Sequence, residues 1–374
     1  MYIGFEAKRL FSNFTGLGNY ARFVVGALSE FVPQDHYTLY TPRERSHPEI
    51  DPIVVRPNVD VISPSGGYRW FKGVWRSWGV SRHPSIKTLS VYHGLSQELP
   101  VGLPKHVRKV VTVHDLIYIR YPQFYKPIDV AIYKAKARAA CSAADRVIAI
   151  SRQTAEDLVE YLKVDASKIE VVYQGCHPIF KRQASTEEKQ RVKSRYALPE
   201  AFILCVGTIE PRKNAAQLVR ALAELPEASR LPIVLVGRAT AYKEEILQIA
   251  RTLGVVQHLQ FLHDTSFQDF PAIYQSATVF VYPSLFEGFG IPLVEAIESG
   301  IPVITSTGSC FSEAAGPSAL YADPNKAEEL ARYLNQVLTD SRLRQNMVDA
   351  SRAYIQRFEP EMIARDLHAV YKSL

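Results

Sequence analysis

Glu287 and Glu295 stand eight residues apart in the stretch Phe280-Val-Tyr-Pro-Ser-Leu-Phe-Glu-Gly-Phe-Gly-Ile-Pro-Leu-Val-Glu295. An apolar run ends at Tyr282-Pro283, and a loop carries Glu287 past Gly288 and Gly290 into a helix entered at Pro292. Proline suits a first helical turn because its missing N–H is not needed there, and the glycines let backbone approach a ligand closely. The stretch thus offers two carboxylates and a helix N-terminus whose free N–H groups suit an anion. A cationic counterpart lies in Gly207-Thr-Ile-Glu-Pro-Arg-Lys-Asn214, again after an apolar run. There Arg212 as a fork and Lys213 as a point charge can clamp a diphosphate. His114, in Thr112-Val-His-Asp115, ends another buried-looking strand, a place that suits a structural histidine as well as one facing a substrate. Gly16-Leu-Gly18-Asn-Tyr-Ala21 formally fits the dinucleotide pattern G-x-G-x-x-A, but the polar stretch Lys8 to Thr15 separates its first glycine from the preceding strand. What remains is a helix start with small residues, able to bring N–H groups against a phosphate.

These residues must be held by an alternation of short apolar runs and helical periodicity, which argues for parallel sheets with helices on both faces. Strands are expected at 2–6, 37–40, 89–93, 110–113, 147–150 and 169–172, with helices at 17–31, 128–142 and 152–161. The rhythm lapses over 173–200, and the polar run 183–194 reads as a connector. It then resumes with strands at 203–206, 233–236, 259–262, 278–282 and 303–305, helices between them, and three helical pieces from 326 to the end. The fold class is therefore α/β, with two doubly wound Rossmann-like domains facing across a cleft: 1–180, a linker at 181–200, 201–355, and a last helix at 356–374 returning to the first domain. Ligands belong at the carboxyl ends of such strands.

The 374 residues are 47% hydrophobic and 22% charged, which fits a well-cored protein of two domains. Up to residue 180 there are 23 Lys+Arg against 16 Asp+Glu, and 21 against 22 thereafter, so the net charge of +6 belongs to the first half. Such a surface draws an anionic acceptor or membrane face, whereas nucleic acid would bring a denser basic stripe. Cys141, Cys176, Cys205 and Cys310 show no metal spacing and read as reduced thiols. No basic leader or span-length apolar run is visible, so a cytoplasmic location is expected. All three tryptophans lie in Tyr68-Arg-Trp-Phe-Lys-Gly-Val-Trp-Arg-Ser-Trp78. On one helix Trp70, Val74 and Trp78 would share a face and Arg69, Lys72 and Arg76 a basic neighbour; such a helix either packs on its own sheet or lies at a lipid interface.

Gly16-Leu-Gly18, Val113-His-Asp115, Gly207 to Asn214, Glu287 to Glu295, Gly300-Ile-Pro-Val-Ile-Thr and Ser309-Cys-Phe-Ser-Glu313, in this order, resemble the retaining GT-B glycosyltransferases of family 4, most of all the mannosyltransferase-like members that build bacterial surface polysaccharides. The likeness implies a metal-independent enzyme with no cofactor. Its co-substrate would be a nucleoside-diphosphate sugar, GDP-mannose first, held mainly by the C-terminal domain. A saccharide or lipid-linked saccharide acceptor would sit mainly on the N-terminal one, and the enzyme would work in the cytoplasm or at the inner face of the membrane. By position, Arg212 and Lys213 would neutralise the donor diphosphate, Glu287 with Phe289 and Gly290 would hold the sugar, and Glu295 the ribose. Gly16, Gly18 and Gly207 would line the diphosphate, His114 would touch the sugar near its reacting carbon, and Arg238 would serve the base or phosphate side. Two other classes fit parts of the pattern: a nucleotide-sugar 2-epimerase of the same architecture, and an NAD-dependent oxidoreductase using the glycine loop.

Overall fold

The computed structural model describes residues Met1–Leu374, leaving out only the side chain of Arg69. The chain divides into two compact units: unit 1 comprises Met1–Gly175 with Arg357–Leu374, and unit 2 comprises Cys176–Gln356.

Unit 1 holds a seven-stranded sheet of β1 (Tyr2–Glu6), β2 (His36–Tyr40), β3 (Val59–Ile62), β4 (Val91–Gly94), β5 (Arg108–Val113), β6 (Arg146–Ala149) and β7 (Ile169–Val171), in the order β3-β2-β1-β4-β5-β6-β7. All its pairings are parallel. The sheet grows one way from β1 and then the other way from β4, so its order reverses between those two strands. The Gly16–Phe31 helix repeats buried residues at Tyr20, Ala21, Val24, Val25 and Leu28, one apolar stripe at helical spacing. The Pro360–Lys372 helix packs against it through a matching stripe that includes Ile363, Leu367 and Tyr371.

Unit 2 repeats the plan with β8 (Ile203–Val206), β9 (Ile233–Val236), β10 (Leu259–Leu262), β11 (Val279–Tyr282), β12 (Val303–Ser306) and β13 (Leu320–Ala322), ordered β10-β9-β8-β11-β12-β13. Its order reverses between β8 and β11. Central strands such as Ile-Val-Leu-Val and Val-Phe-Val-Tyr are buried along their whole length, as a parallel sheet covered on both faces requires.

Two expectations need correction, and one polar stretch gains a helix. Residues 183–194 are not an irregular connector: Thr186–Tyr196 is a helix of unit 2, capped by Ser185, whose side chain accepts the Glu188 N–H, and pinned by buried Val192. The polar stretch after β1 contains the Lys8–Ser12 helix, anchored by buried Leu10 and Phe11. The tryptophan segment is not one α-helix: after a 3-10 turn at Gly66–Arg69, a helical run begins only at Lys72, with α geometry at Lys72–Val74, π geometry at Trp75–Gly79 and 3-10 geometry at Val80–Arg82. Its buried anchor is Trp75, packed with Tyr40, Val80 and Tyr92, while Trp70 is 88%, Phe71 65%, Val74 50% and Trp78 48% exposed. Of the basic face, Arg69 lies outside the described residues and Arg76 turns to Glu98 at 2.7 Å. Among the described residues, no helix is long and apolar enough to cross a membrane.

Candidate active site

The turns after β8 and β11 meet where the strand order of unit 2 reverses, the place where doubly wound sheets hold ligands. Pro211–Lys213 form one helical turn that ends on Asn214 in the left-handed region, and the Asn214 amide donates to the carbonyls of Pro283 (3.2 Å) and Pro324 (2.9 Å). The Leu285 N–H donates to the Arg212 carbonyl at 2.9 Å, so the two turns are stitched together by backbone. Gly207 sits at φ +149°, and a Cβ there would come within 3.4 Å of the Lys213 stem. The β8 turn therefore needs a glycine to lay that lysine along it.

This stitching brings Arg212, Lys213 and Glu287 into direct contact. Arg212 Nη1 lies 2.7 Å from Glu287 Oε2, and Lys213 Nζ lies 2.7 Å from Glu287 Oε1. Lys213 also donates to the Tyr282 hydroxyl (2.6 Å), and Arg212 to Glu210 (2.7 Å) and the Phe286 carbonyl (2.8 Å). Two cations face two carboxylates, so the cluster is close to neutral. Burial alone would raise the Glu287 pKa, but Lys213 and then Arg212 outweigh it and hold the carboxyl at about 2. Glu287 is therefore an ionised acceptor at neutral pH, and it has no proton to give as a general acid. The guanidinium keeps its Nε–H and one Nη2–H, and the ammonium one N–H, beyond the bonds just named. Those donors are what the cluster has to offer a bound anion.

On either side of Glu287 the loop is nailed down by buried Phe286 and Phe289. Gly290 turns into the left-handed region at φ +94° and starts the Ile291–Glu298 helix, with Pro292 in its first turn. The Ser309 hydroxyl accepts the Glu287 N–H at 3.3 Å and lies 3.0 Å from its carbonyl, and the Cys310 thiol donates to the same carbonyl at 3.2 Å. Glu295, on the helix, accepts the Tyr274 hydroxyl at 2.8 Å, and burial raises its pKa to about 7. The two carboxylates thus differ in kind, one locked ionised and the other near its titration point at neutral pH. Arg238 is exposed at the end of β9, where its carbonyl accepts the Ile209 N–H.

In unit 1, His114 follows β5 and is buried. Burial lowers its pKa to about 4, so its ring is neutral. Nε2 lies 2.8 Å from the Leu95 carbonyl; Nε2 therefore carries the proton, and Nδ1 is left as an acceptor. The Tyr20 ring meets His114 edge-on at 4.5 Å. Behind it runs a buried row of hydrogen bonds: Tyr20 to Thr112 (3.1 Å), Thr112 to His93 (2.8 Å), and His93 to Tyr371 of the last helix (2.6 Å). Gly16 has open space around it, but Gly18 does not: its Cβ would fall 1.7 Å from the Asn13 carbonyl oxygen, and its N–H is bonded to the Thr15 carbonyl and Asn13 Oδ1. Gly18 is required by packing, and its N–H is not free for a phosphate.

Residues 186–354 match the family described as Glycosyl transferases group 1, and residues 15–178 match Glycosyltransferase Family 4. The chain belongs to the family 4 glycosyltransferases. It is 28% identical over 290 residues to the O-antigen chain mannosyltransferase B of Escherichia coli, covering 76% of this chain and 74% of that one. It is 30% identical over 270 residues to the serotype-specific mannosyltransferase WbdA of the same species, where the match takes in 68% of this chain but only 32% of that longer protein. Among solved structures, Anabaena HepE in complex with UDP and glucose superposes with a TM-score of 0.75 at 19% identity, with full coverage of both chains. WaaG, a glycosyltransferase involved in lipopolysaccharide biosynthesis, gives 0.71 at 18% identity over 99% of each. These structures share the GT-B fold with this glycosyltransferase.

Four residues of this glycosyltransferase's cluster escaped sequence reasoning as site residues. Tyr282 looked like the end of a strand, Glu210 like a turn residue, Asn214 like a helix start and Tyr274 like helix filling. Each acts by a bond to a residue 2 to 69 positions away, which only the folded chain discloses. A partial signal existed for Asn214, since asparagine tolerates the left-handed region that a helix-starting turn requires.

Proposed function

We propose that this glycosyltransferase moves a hexose, mannose first, from a nucleoside-diphosphate sugar to a saccharide or lipid-linked saccharide acceptor, with retention of anomeric configuration and without a metal ion. The observation that carries the reading is the Arg212–Lys213–Glu287 cluster at the strand reversal of unit 2. As the glycosidic bond breaks, negative charge collects on the leaving diphosphate. The remaining N–H donors of Arg212 and Lys213 stabilise that charge from fixed positions, the kind of preorganised donor array that contributes most to catalysis. Glu287, locked ionised, accepts hydroxyl hydrogen bonds from the hexose and keeps both cations in place. Glu295 takes the ribose hydroxyls, which draw out its ionised form, and Arg238 serves the base or phosphate side. Within unit 1, neutral His114 keeps Nδ1 as an acceptor for a sugar hydroxyl.

Mannose is supported by the mannosyltransferase relatives, which also favour transfer over 2-epimerisation; GDP as its carrier is part of our proposal. The deciding experiment is a screen of GDP-, UDP- and dTDP-sugars for release of nucleoside diphosphate, with and without α-mannosyl acceptors and with EDTA throughout. Release from GDP-mannose that rises with acceptor and gives an axial-linked product by NMR is expected. Conversion of the donor to its 2-epimer without acceptor, or loss of turnover in EDTA, would overturn the reading.

The same reading places the enzyme at an anionic membrane face through the exposed Trp70, Phe71, Val74 and Trp78, aromatic side chains suited to the lipid interface. In liposome flotation the wild type should rise with anionic vesicles, and a Trp70→Ala, Phe71→Ala, Trp78→Ala variant should stay behind. Equal flotation of the two would remove the membrane from the proposal.

A further inference from the structure

Unit 1 has its own strand reversal, and a cavity opens there. Glu6, the last residue of β1, pairs with Gly94, the last of β4, across the reversal. Glu6 is 3% exposed and lines a cavity of about 480 Å³. The Lys8 backbone N–H bonds to its carboxylate, but Oε1 is buried with no hydrogen-bond partner. Buried polar atoms are nearly always bonded, so a lone oxygen on a carboxylate whose residue lines a cavity calls for a donor from outside the chain.

The walls are built in advance of any ligand. Gly94 lets the following loop fold tightly over the strand end, since a Cβ there would lie 2.0 Å from the Glu98 carbonyl oxygen. The loop is then fixed by Gln97 N–H to the Thr112 carbonyl (3.0 Å) and Val101 N–H to the Ser77 carbonyl (2.8 Å). Glu98 is gripped from two sides, by Arg76 at 2.7 Å and Lys136 at 3.2 Å. Leu99, Leu103, Ala139 and Ala143 supply apolar wall.

The charge pattern selects the ligand. A small anion would meet Glu6 and Glu98, and a metal cation would meet Arg76, Lys109 and Lys136, which also line the cavity. A neutral polyhydroxylated ring suffers neither repulsion. Its hydroxyls can both donate and accept, and its C–H faces can lie on the leucine and alanine wall. We propose that this cavity binds a neutral pyranose unit of a saccharide, with Glu6 accepting a hydroxyl hydrogen bond and the Arg76–Glu98–Lys136 row lining the wall beside it. Calling that saccharide the acceptor rests on the transferase reading above; the binding itself does not.

The test uses the full chain without nucleotide and two probes, methyl α-D-mannopyranoside and α-1,2-mannobiose, followed by saturation-transfer NMR and calorimetry. Saturable binding is expected, weakened at least tenfold in Glu6→Leu, which removes the acceptor oxygen while filling its space. It should also be abolished in Ala139→Trp, which blocks the mouth from an exposed helix position. Circular dichroism and melting curves establish that both variants fold. No saturable binding to the wild type, equal binding by both folded variants, or displacement of the mannoside by inorganic phosphate would each overturn the inference. If the donor screen yields no transfer while the mannoside still binds through Glu6, the transferase reading fails alone. If transfer proceeds and Glu6→Leu binds the probes as well as wild type, the cavity inference fails alone.

Discussion

The two sheets reverse strand order at equivalent places, and each sets a buried glutamate beside the reversal, yet the two carboxyls are held in opposite states. Glu287 follows β11 and is clasped by Arg212 and Lys213, which keep its pKa at about 2. Glu6 ends β1 with one oxygen unpartnered, and burial, opposed by Arg76 and reinforced by Glu98, lifts it to about 7. Topology alone fixes where a site can form. The side chains that the flanking turns deliver decide whether the carboxylate there is an electrostatic anchor or an open acceptor.

The contrast breaks most visibly if the anchor is dismantled. Lys213→Ala and Glu287→Ala should each lower kcat for sugar transfer by ~10²–10³-fold, the scale for losing one preorganised charge-stabilising group, in steady-state assays with the best donor. Near-normal turnover by either variant removes that residue from the cluster's work. Arg212→Ala should cost about 3 kcal/mol in urea unfolding, because it strips one partner from a mostly buried ion pair. The sign of the pH dependence follows from the depressed Glu287 pKa: this stabilisation is present above the unfolded value near 4.5 and drains away as pH falls toward 2. The wild-type and Arg212→Ala curves should therefore converge in acid.

Glu6 sharpens the comparison from the other side. Its raised pKa makes the folded state pay for ionisation, so wild-type stability should fall as pH rises from 4.5 to about 7. Glu6→Gln should remove that slope and gain about 1–3 kcal/mol at pH 8 in chemical unfolding. A flat wild-type profile over this window would show Glu6 already satisfied. The smallest effect belongs to Tyr274→Phe, which deletes one bond to Glu295 and should weaken nucleotide binding about fivefold by calorimetry, near 1 kcal/mol.

How far the sequence could reach is clear from particular elements. The long buried strands and amphipathic helices were legible because their periodicity is strong, and so were Glu287, Arg212 and Lys213, which follow apolar runs in ordered motifs. β3 escaped because Val59–Ile62 is four residues at a sheet edge with Asp60 exposed. The Thr186–Tyr196 helix hid in polar residues, although Ser185 and Glu188 stand at the spacing of a capping box. The tryptophan segment misled because α-helical spacing was read from Trp70, which precedes the helical run, and through Trp75–Gly79, which has π geometry, so Trp75, off the expected stripe, proved to be the buried one. Nothing in the linear order marks Glu6. Its meaning comes from Gly94 and Arg76, brought beside it by strand pairing and a loop that periodicity does not describe.

The row from Tyr371 through His93 and Thr112 to Tyr20 ties the last helix into the heart of unit 1. A growing chain emerging from the ribosome therefore finishes unit 2, which is continuous in sequence, before unit 1 can close. Until the Pro360–Lys372 helix is made, the face of Gly16–Phe31 that it covers stays open.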